Sequence, residues 1–303
     1  MTPGFHAITG PFGYTGAHIT RALLAAGTPV LGLTSRPAPT GLSSVTVAPY
    51  HWDDPERLAE SLKGAAVLYN TYWVRFDRGS TTFDLALSRI RTLLQAARTA
   101  GVGRIVHLSV TNASVDSPFP YFRGKGLAER MVRECGVPYS IVRPALVFGE
   151  GDILLNNIAW FLRRSPVFGV PDGGRYRVQP IAADDLAAGA LAQGRASGKQ
   201  EVDAIGPETL TFWELVRLIR DAVGGSPLLL PIPGAAALAA TWLAGKLTGD
   251  VVLTPDELAG LRMNLLTSNA APLGERRFAQ WLTTAGPTLG RRYQSEIERH
   301  YPR

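Results

Sequence analysis

The chain has 303 residues, a net charge of +6, and 46% hydrophobic against 18% charged residues, which fits a soluble globular protein of one or two domains. Its single cysteine, Cys135, excludes an internal disulfide, and His6, His18, His51, His107 and His300 show no metal-ligand spacing. The arginine pairs Arg163/Arg164, Arg276/Arg277 and Arg291/Arg292 are scattered among acids and form no stripe for nucleic acid.

Met1 to Gly4 lead directly into an apolar run with no export signal, so a cytoplasmic location is expected. That run, FHAIT (5–9), reads as a buried strand and is followed by three glycines spaced three apart, Gly10, Gly13 and Gly16. YTGAHITRALLAA (14–26) then reads as a helix ending near Gly27. A strand, a tight glycine turn and a helix N-terminus suit an anion: backbone N–H groups and the helix dipole face a pyrophosphate, and the missing Cβ atoms let it approach. The spacing is GxxGxxG rather than GxGxxG.

Further β-type runs fall at 29–34, 45–50, 65–70, 104–109 and 139–144, with helical patterns at 55–63, 82–100 and 121–135. This alternation predicts an α/β fold, a Rossmann-type doubly wound parallel sheet with helices on both faces. Beyond Gly149 the rhythm changes to a smaller, mostly helical C-terminal substrate lobe. Helices are expected from Asp184 and at 212–223, 233–247, 255–266 and 289–300, and a short strand at 202–205. Thr211 and Glu214 form a capping box. The domains are therefore drawn at 1–148 and 149–303, with 178–205 returning to the first. The apolar tract 233–243 is too short to span a bilayer, and membrane association is not expected.

An NAD site usually carries an acid about 20 residues past the glycines, whereas an arginine there accepts a 2′-phosphate. Residues 1–52 hold no acid, and Ser35 and Arg36 follow the second strand. NADP(H) is therefore the expected cofactor. Asp53, after the third strand, is a candidate for the adenine edge.

Only four of the 31 basic residues are lysines, and one of them, Lys125, stands four residues after Tyr121 in YFRGK (121–125), on one helix face. A tyrosine with a pKa near ~10 is a poor acid–base group at neutral pH. An ammonium at ~4 Å and an effective dielectric near 20 favours the phenolate by about 4 kcal/mol before screening. Ser109 closes the fifth strand and would hold a substrate oxygen.

Together TGPFGYTG (9–16), HLSV (107–110), YFRGK (121–125), RPALVFG (143–149), VQPIAADDLA (178–187) and GPETLTFWELV (206–216) make the chain resemble the short-chain dehydrogenase/reductase superfamily, on its extended and atypical side. YNTYWVRF (69–76), GDILLNNIAW (151–160) and VVLTPDEL (251–258) are similar to bacterial relatives of the NADPH-binding accessory subunit of respiratory complex I, a subunit regarded as structural. The resemblance implies Ser109, Tyr121 and Lys125 as catalytic residues. It implies a nucleotide site of Gly10, Phe12, Gly13, Tyr14, Thr15 and Gly16 in the turn, with Ser35, Arg36, Asp53, Asn70, Lys125 and Pro144 around it. The asparagine that relays protons in many dehydrogenases corresponds to Ser88, and Asp184 and Asp185 seat a helix. The expected function is reduction or epimerisation of a carbonyl or hydroxyl on a small-molecule substrate. The alternative is a silent NADPH-binding sensor or assembly subunit, and monomer and homodimer both stay open.

Overall fold

In the computed structural model, which describes residues 4–301, the first apolar run becomes strand β1 (His6–Thr9), buried over its last three residues. The chain then alternates through α1 (Tyr14–Ala25), β2 (Val30–Leu33), β3 (Thr46–Ala48), α2 (Pro55–Leu62), β4 (Val67–Asn70), α3 (Phe83–Thr99), β5 (Arg104–Leu108), α4 (Pro120–Glu134) and β6 (Tyr139–Pro144). A later helix, Ala183–Arg195, and a strand, Gln200–Ala204, complete this unit of the chain. Seven parallel strands form one sheet in the order Gln200–Ala204, β6, β5, β4, β1, β2, β3. The order reverses between β1 and β4, the place where open α/β sheets bind ligands.

The helices form because their apolar positions recur at helical spacing. In α3, Ala86, Ile90, Leu93, Leu94 and Ala97 are buried, and Thr82 caps the start by accepting from Leu85 N–H at 3.1 Å. They pack on Ala7, Leu68, Ile105 and Ile141 of the sheet, and each large aliphatic side chain so buried contributes roughly 2 kcal/mol. On α4, Glu129 is 1% exposed and receives both Arg143 Nε and Arg143 Nη2 at 2.7 Å. That two-pronged pair ties α4 to β6 and fixes how the helix presents Tyr121 and Lys125.

The second unit comprises Ala145–Ala182 and the residues from Ile205 onward. It holds three two-stranded sheets: Leu146–Phe148 with Pro180–Ala182, Val167–Pro171 with Leu228–Ile232, and Arg177–Val178 with Leu210–Thr211. Phe148, Leu155, Leu162, Leu215, Ile219 and Phe278 meet in its core. The Thr211–Glu214 capping box is present, with Glu214 N–H donating to Thr211 Oγ1 at 3.2 Å. Elsewhere the helices depart from expectation. Leu154–Arg164 and Phe278–Ala285 are helices the sequence pattern did not announce. The one expected over 289–300 exists only as Glu296–His300. Among the described residues no helix is long and apolar enough to cross a membrane.

Candidate functional site

The glycine turn joins β1 to α1 at the carboxyl end of the sheet. Gly10 takes the left-handed φ of +58° that favours glycine, and its N–H donates to Leu33 O at 3.0 Å, drawing the ends of β1 and β2 together. A Cβ on Gly16 would fall onto the Gly10 carbonyl oxygen, so this glycine permits close packing of the helix on the turn. Gly13 differs: an added Cβ meets only the Gly10 oxygen, at 3.4 Å. It caps α1 with no side-chain hydrogen bond and no acid in the first turn. The first-turn N–H groups of such a helix have no intrahelical acceptor. Phe12, Tyr14 and Thr15 are half-buried around them. This cradle fits a pyrophosphate.

Ser35 and Arg36 are exposed just past β2, and Arg36 N–H donates to Thr34 Oγ1 at 3.1 Å. The charge of Arg36 is felt at Tyr50, whose hydroxyl accepts from Gly10 N–H at 3.0 Å and whose phenol burial pushes up to about 12. Tyr50 stacks on Trp52 with centroids 4.5 Å apart, so an aromatic wall stands beside the turn. Sequence reasoning passed over Tyr50; its signal was the aromatic pair flanking His51. Asp53 is exposed, and its neighbour Asp54 caps α2 by accepting from Arg57 N–H at 3.0 Å.

Asn70 sits deeper than a nucleotide contact would suggest. It is fully buried, its amide oxygen accepting from Thr9 Oγ1 at 3.2 Å and from Tyr72 N–H at 3.1 Å. Those bonds orient its NH2 toward His107 Nδ1 at 3.0 Å, which leaves the proton on Nε2, an atom with no partner among the described residues. Burial, with help from Lys125 and Arg143, pushes His107 down to about 3, so the ring is neutral. Asn70 thus ties the ends of β1, β4 and β5.

At the end of β5, Ser109 is 4% exposed and its Oγ has no partner among the described residues. A buried hydroxyl left unpaired points to a missing ligand group. Lys125 is equally buried and donates from Nζ to Leu108 O at 2.8 Å, next to Ser109. Burial pushes its ammonium down to about 7, against the opposing charge of Glu129 one turn on. Trp73 covers Lys125, with Nζ 5.0 Å from its ring centre, and meets the Tyr121 ring edge-on at 6.4 Å. Gly124 makes this possible, because a Cβ there would strike the Trp73 ring at 2.8 Å. A glycine between Tyr121 and Lys125 was the sequence signal for that close approach. Pro144 ends β6, where its carbonyl receives Thr111 N–H at 3.0 Å. Ser88 is exposed on α3, and the buried His18 ring donates from Nδ1 to Asp184 Oδ1 at 2.7 Å, joining α1 to the helix Ala183–Arg195.

The depressed pKa of Lys125 carries a testable sign. Below about pH 7 the amine is protonated in folded and unfolded chains alike, and the burial cost is fully present; between about 7 and the ordinary 10.5 only the unfolded chain keeps the proton. Stability should therefore rise with pH across that window, by about 2 to 3 kcal/mol between pH ~7 and ~9. Urea unfolding of the wild type and Lys125→Met at both pH values checks this. A pH response of equal size in both proteins would place the amine in water.

A family model described as NAD(P)H-binding matches residues 10–152. Ceramide reductase of Caulobacter vibrioides is 30% identical over 250 residues, covering 79% of this chain and 78% of that protein. This chain belongs to the extended short-chain dehydrogenase/reductase family. The chain is also similar to the NADH dehydrogenase 1 alpha subcomplex subunit 9 of Arabidopsis thaliana, 28% identical over 286 residues and covering 87% of this chain and 71% of that subunit. Against the mouse (Mus musculus) subunit, 27% identical over 211 residues, the match takes in 65% of this chain and only 53% of the relative. Triphenylmethane reductase of Citrobacter sp. shares the family fold with a TM-score of 0.76 and 19% identity, over 93% of this chain and 99% of that one.

Proposed function

We propose that the protein is an NADP(H)-dependent oxidoreductase that interconverts a carbonyl and a hydroxyl on a small, largely apolar substrate. The observation that carries this is the pairing, at one strand end, of a buried unpartnered Ser109 hydroxyl with a buried Lys125 amine, on the helix that bears Tyr121. A protein that only bound nucleotide could use Lys125 for the ribose but would need neither a tyrosine acid nor an orphaned hydroxyl beside it.

The nucleotide supplies the hydride. Gly10, Gly13 and Gly16 admit its pyrophosphate, and Arg36 pairs with the 2′-phosphate. Ser109 donates to the substrate oxygen and holds it; Tyr121 O–H passes its proton to that oxygen as the carbon gains the hydride. Carbonyl, hydride and proton then account for the alcohol. Lys125 holds the nicotinamide ribose, and in its protonated form it stabilises the phenolate left on Tyr121. The rings of Trp73, Phe83, Tyr121 and Phe122, edge to face or stacked at 5.5 to 6.4 Å, give the site an apolar wall, which suits the substrate class named by the Caulobacter relative.

The complex I relatives favour a second reading, a silent NADPH-binding subunit or sensor. Both readings need the same nucleotide. A charge-assisted contact to the 2′-phosphate is worth about 1.5 to 3 kcal/mol, so NADPH should bind at least about tenfold more tightly than NADH, and Arg36→Gln should erase the difference. Calorimetric titration of the two nucleotides tests this; equal affinities in the wild type would remove Arg36 from the site.

A further inference from the structure

At the other end of the sheet from the glycine turn, the amino-terminal ends of β1, β4, β5 and β6 border a cavity of about 560 Å3. The strands run four to six residues, so the two ends stand roughly 15 Å apart. Nothing in the proposed reduction uses this space.

Its lining is unusual for the inside of a sheet. Tyr69 is fully buried, and its hydroxyl has no partner among the described residues. Nδ1 of His6, whose ring lies 5.8 Å from that of Tyr69, has none either. His6 and Tyr69 both line this cavity, and a buried unpaired polar atom on each is a standing cost that a hydrogen-bonding ligand would relieve. The phenol is pushed up to about 12 by burial, so it remains a donor. Gly194 shows that the adjoining helix end is shaped around that hydroxyl, because a Cβ at this position would fall on it.

The charge comes from Arg195. This exposed residue lines the cavity, and its field reaches both Tyr69 and His6. Arg104 also lines it, but its donors are committed to Gln193 O and Gly198 O at 2.7 Å, Tyr139 O at 3.0 Å and Ser140 Oγ at 2.7 Å. Arg104 therefore builds the wall, and Arg195 is the cation left to meet a ligand. Leu23, Val67, Pro138 and Leu191 make the remaining surface apolar.

We propose that this cavity binds a small organic anion, its carboxylate beside Arg195 and accepting from the Tyr69 hydroxyl, its apolar body against Leu23, Val67 and Leu191. Benzoate is the probe, with benzamide as its uncharged counterpart, and the readout is the His6 imidazole resonance of the full chain during titration. Saturable binding of benzoate at millimolar concentration is expected, at least about tenfold tighter than benzamide. Arg195→Gln, a change at an exposed position, should weaken benzoate by about tenfold or more. Tyr69→Phe should weaken it similarly while raising the melting temperature of the unliganded protein, because the variant removes an unpaired buried hydroxyl. The absence of a saturable shift, equal affinity for benzamide, or unchanged benzoate binding in Arg195→Gln would each overturn the proposal.

Discussion

Replacing Tyr121 by phenylalanine is expected to lower turnover by about a hundredfold or more, the usual scale for a lost acid–base group, while nucleotide affinity barely moves. The ring keeps its seat, since Trp73, Phe83 and Phe122 contact it edge-on and none of those contacts needs the hydroxyl. Only the proton donor goes. Lys125→Met should behave differently and lose both turnover and nucleotide affinity, because the proposed role of the amine is both to hold the ribose and to support the phenolate. Measuring the rate of NADPH oxidation beside the nucleotide dissociation constant separates the two outcomes. A Tyr121→Phe enzyme with unchanged rate would remove Tyr121 from the chemistry.

Gly13→Val should abolish NADPH binding with the fold intact. The backbone at Gly13, φ −74° and ψ 170°, is open to valine, and the first side-chain carbon meets only the Gly10 oxygen at 3.4 Å. The branches would then stand over the N-terminus of α1, the proposed seat of the pyrophosphate. Gly16→Val is the contrasting change: its Cβ would fall on the Gly10 carbonyl, so the turn itself should break and stability should fall. Fluorescence titration with NADPH, paired with circular dichroism and thermal melting, distinguishes a lost ligand from a lost fold. Normal binding by Gly13→Val would reduce the glycine turn to a turn.

The first 144 residues were legible because each element there announces itself. Buried parallel strands leave apolar runs such as AAVLY (65–69) and VLGL (30–33), and glycines such as Gly27, Gly64, Gly101 and Gly136, all at positive φ, punctuate the ends. The second unit lacks such marks. Leu154–Arg164 follows Gly149 and Gly151, which read as loop, and its first turn is held not by the N-cap residue but by Asp152, which accepts from Leu155 N–H at 2.6 Å; Phe278–Ala285 takes its cap from Glu208, 70 residues away, which accepts from Phe278 N–H at 2.6 Å. The helix at 255 stops at Arg262 because Asn264 turns left-handed, at φ +56°. Over 289–300, Gly290 takes φ +72° against the Ala159 backbone, so a helix begins only where Ser295 accepts from Glu298 N–H at 3.1 Å.

In the candidate site, spacing pointed to Ser109, Tyr121 and Lys125 but not to their surroundings. Spacing treats Lys125 as an ordinary ammonium, whereas its burial brings the amine to about 7 and makes its charge depend on pH. Nor does one-dimensional order show that Asn70 turns inward to His107, or that Trp73 lies over Lys125. Those contacts join residues 37 and 52 positions apart, and only the sheet order brings them together.

Isotope transfer tests the proposed chemistry most directly. NADPH carrying deuterium at the transferable position is incubated with the protein and a panel of aldehydes and ketones, including long-chain apolar ones, and the products are read by mass spectrometry. Deuterium should appear on the carbinol carbon of at least one product with the wild type, and at a rate at least about a hundredfold lower with Tyr121→Phe. Tight, stoichiometric NADPH binding with no deuterium in any product would contradict an oxidoreductase and leave the silent subunit in its place.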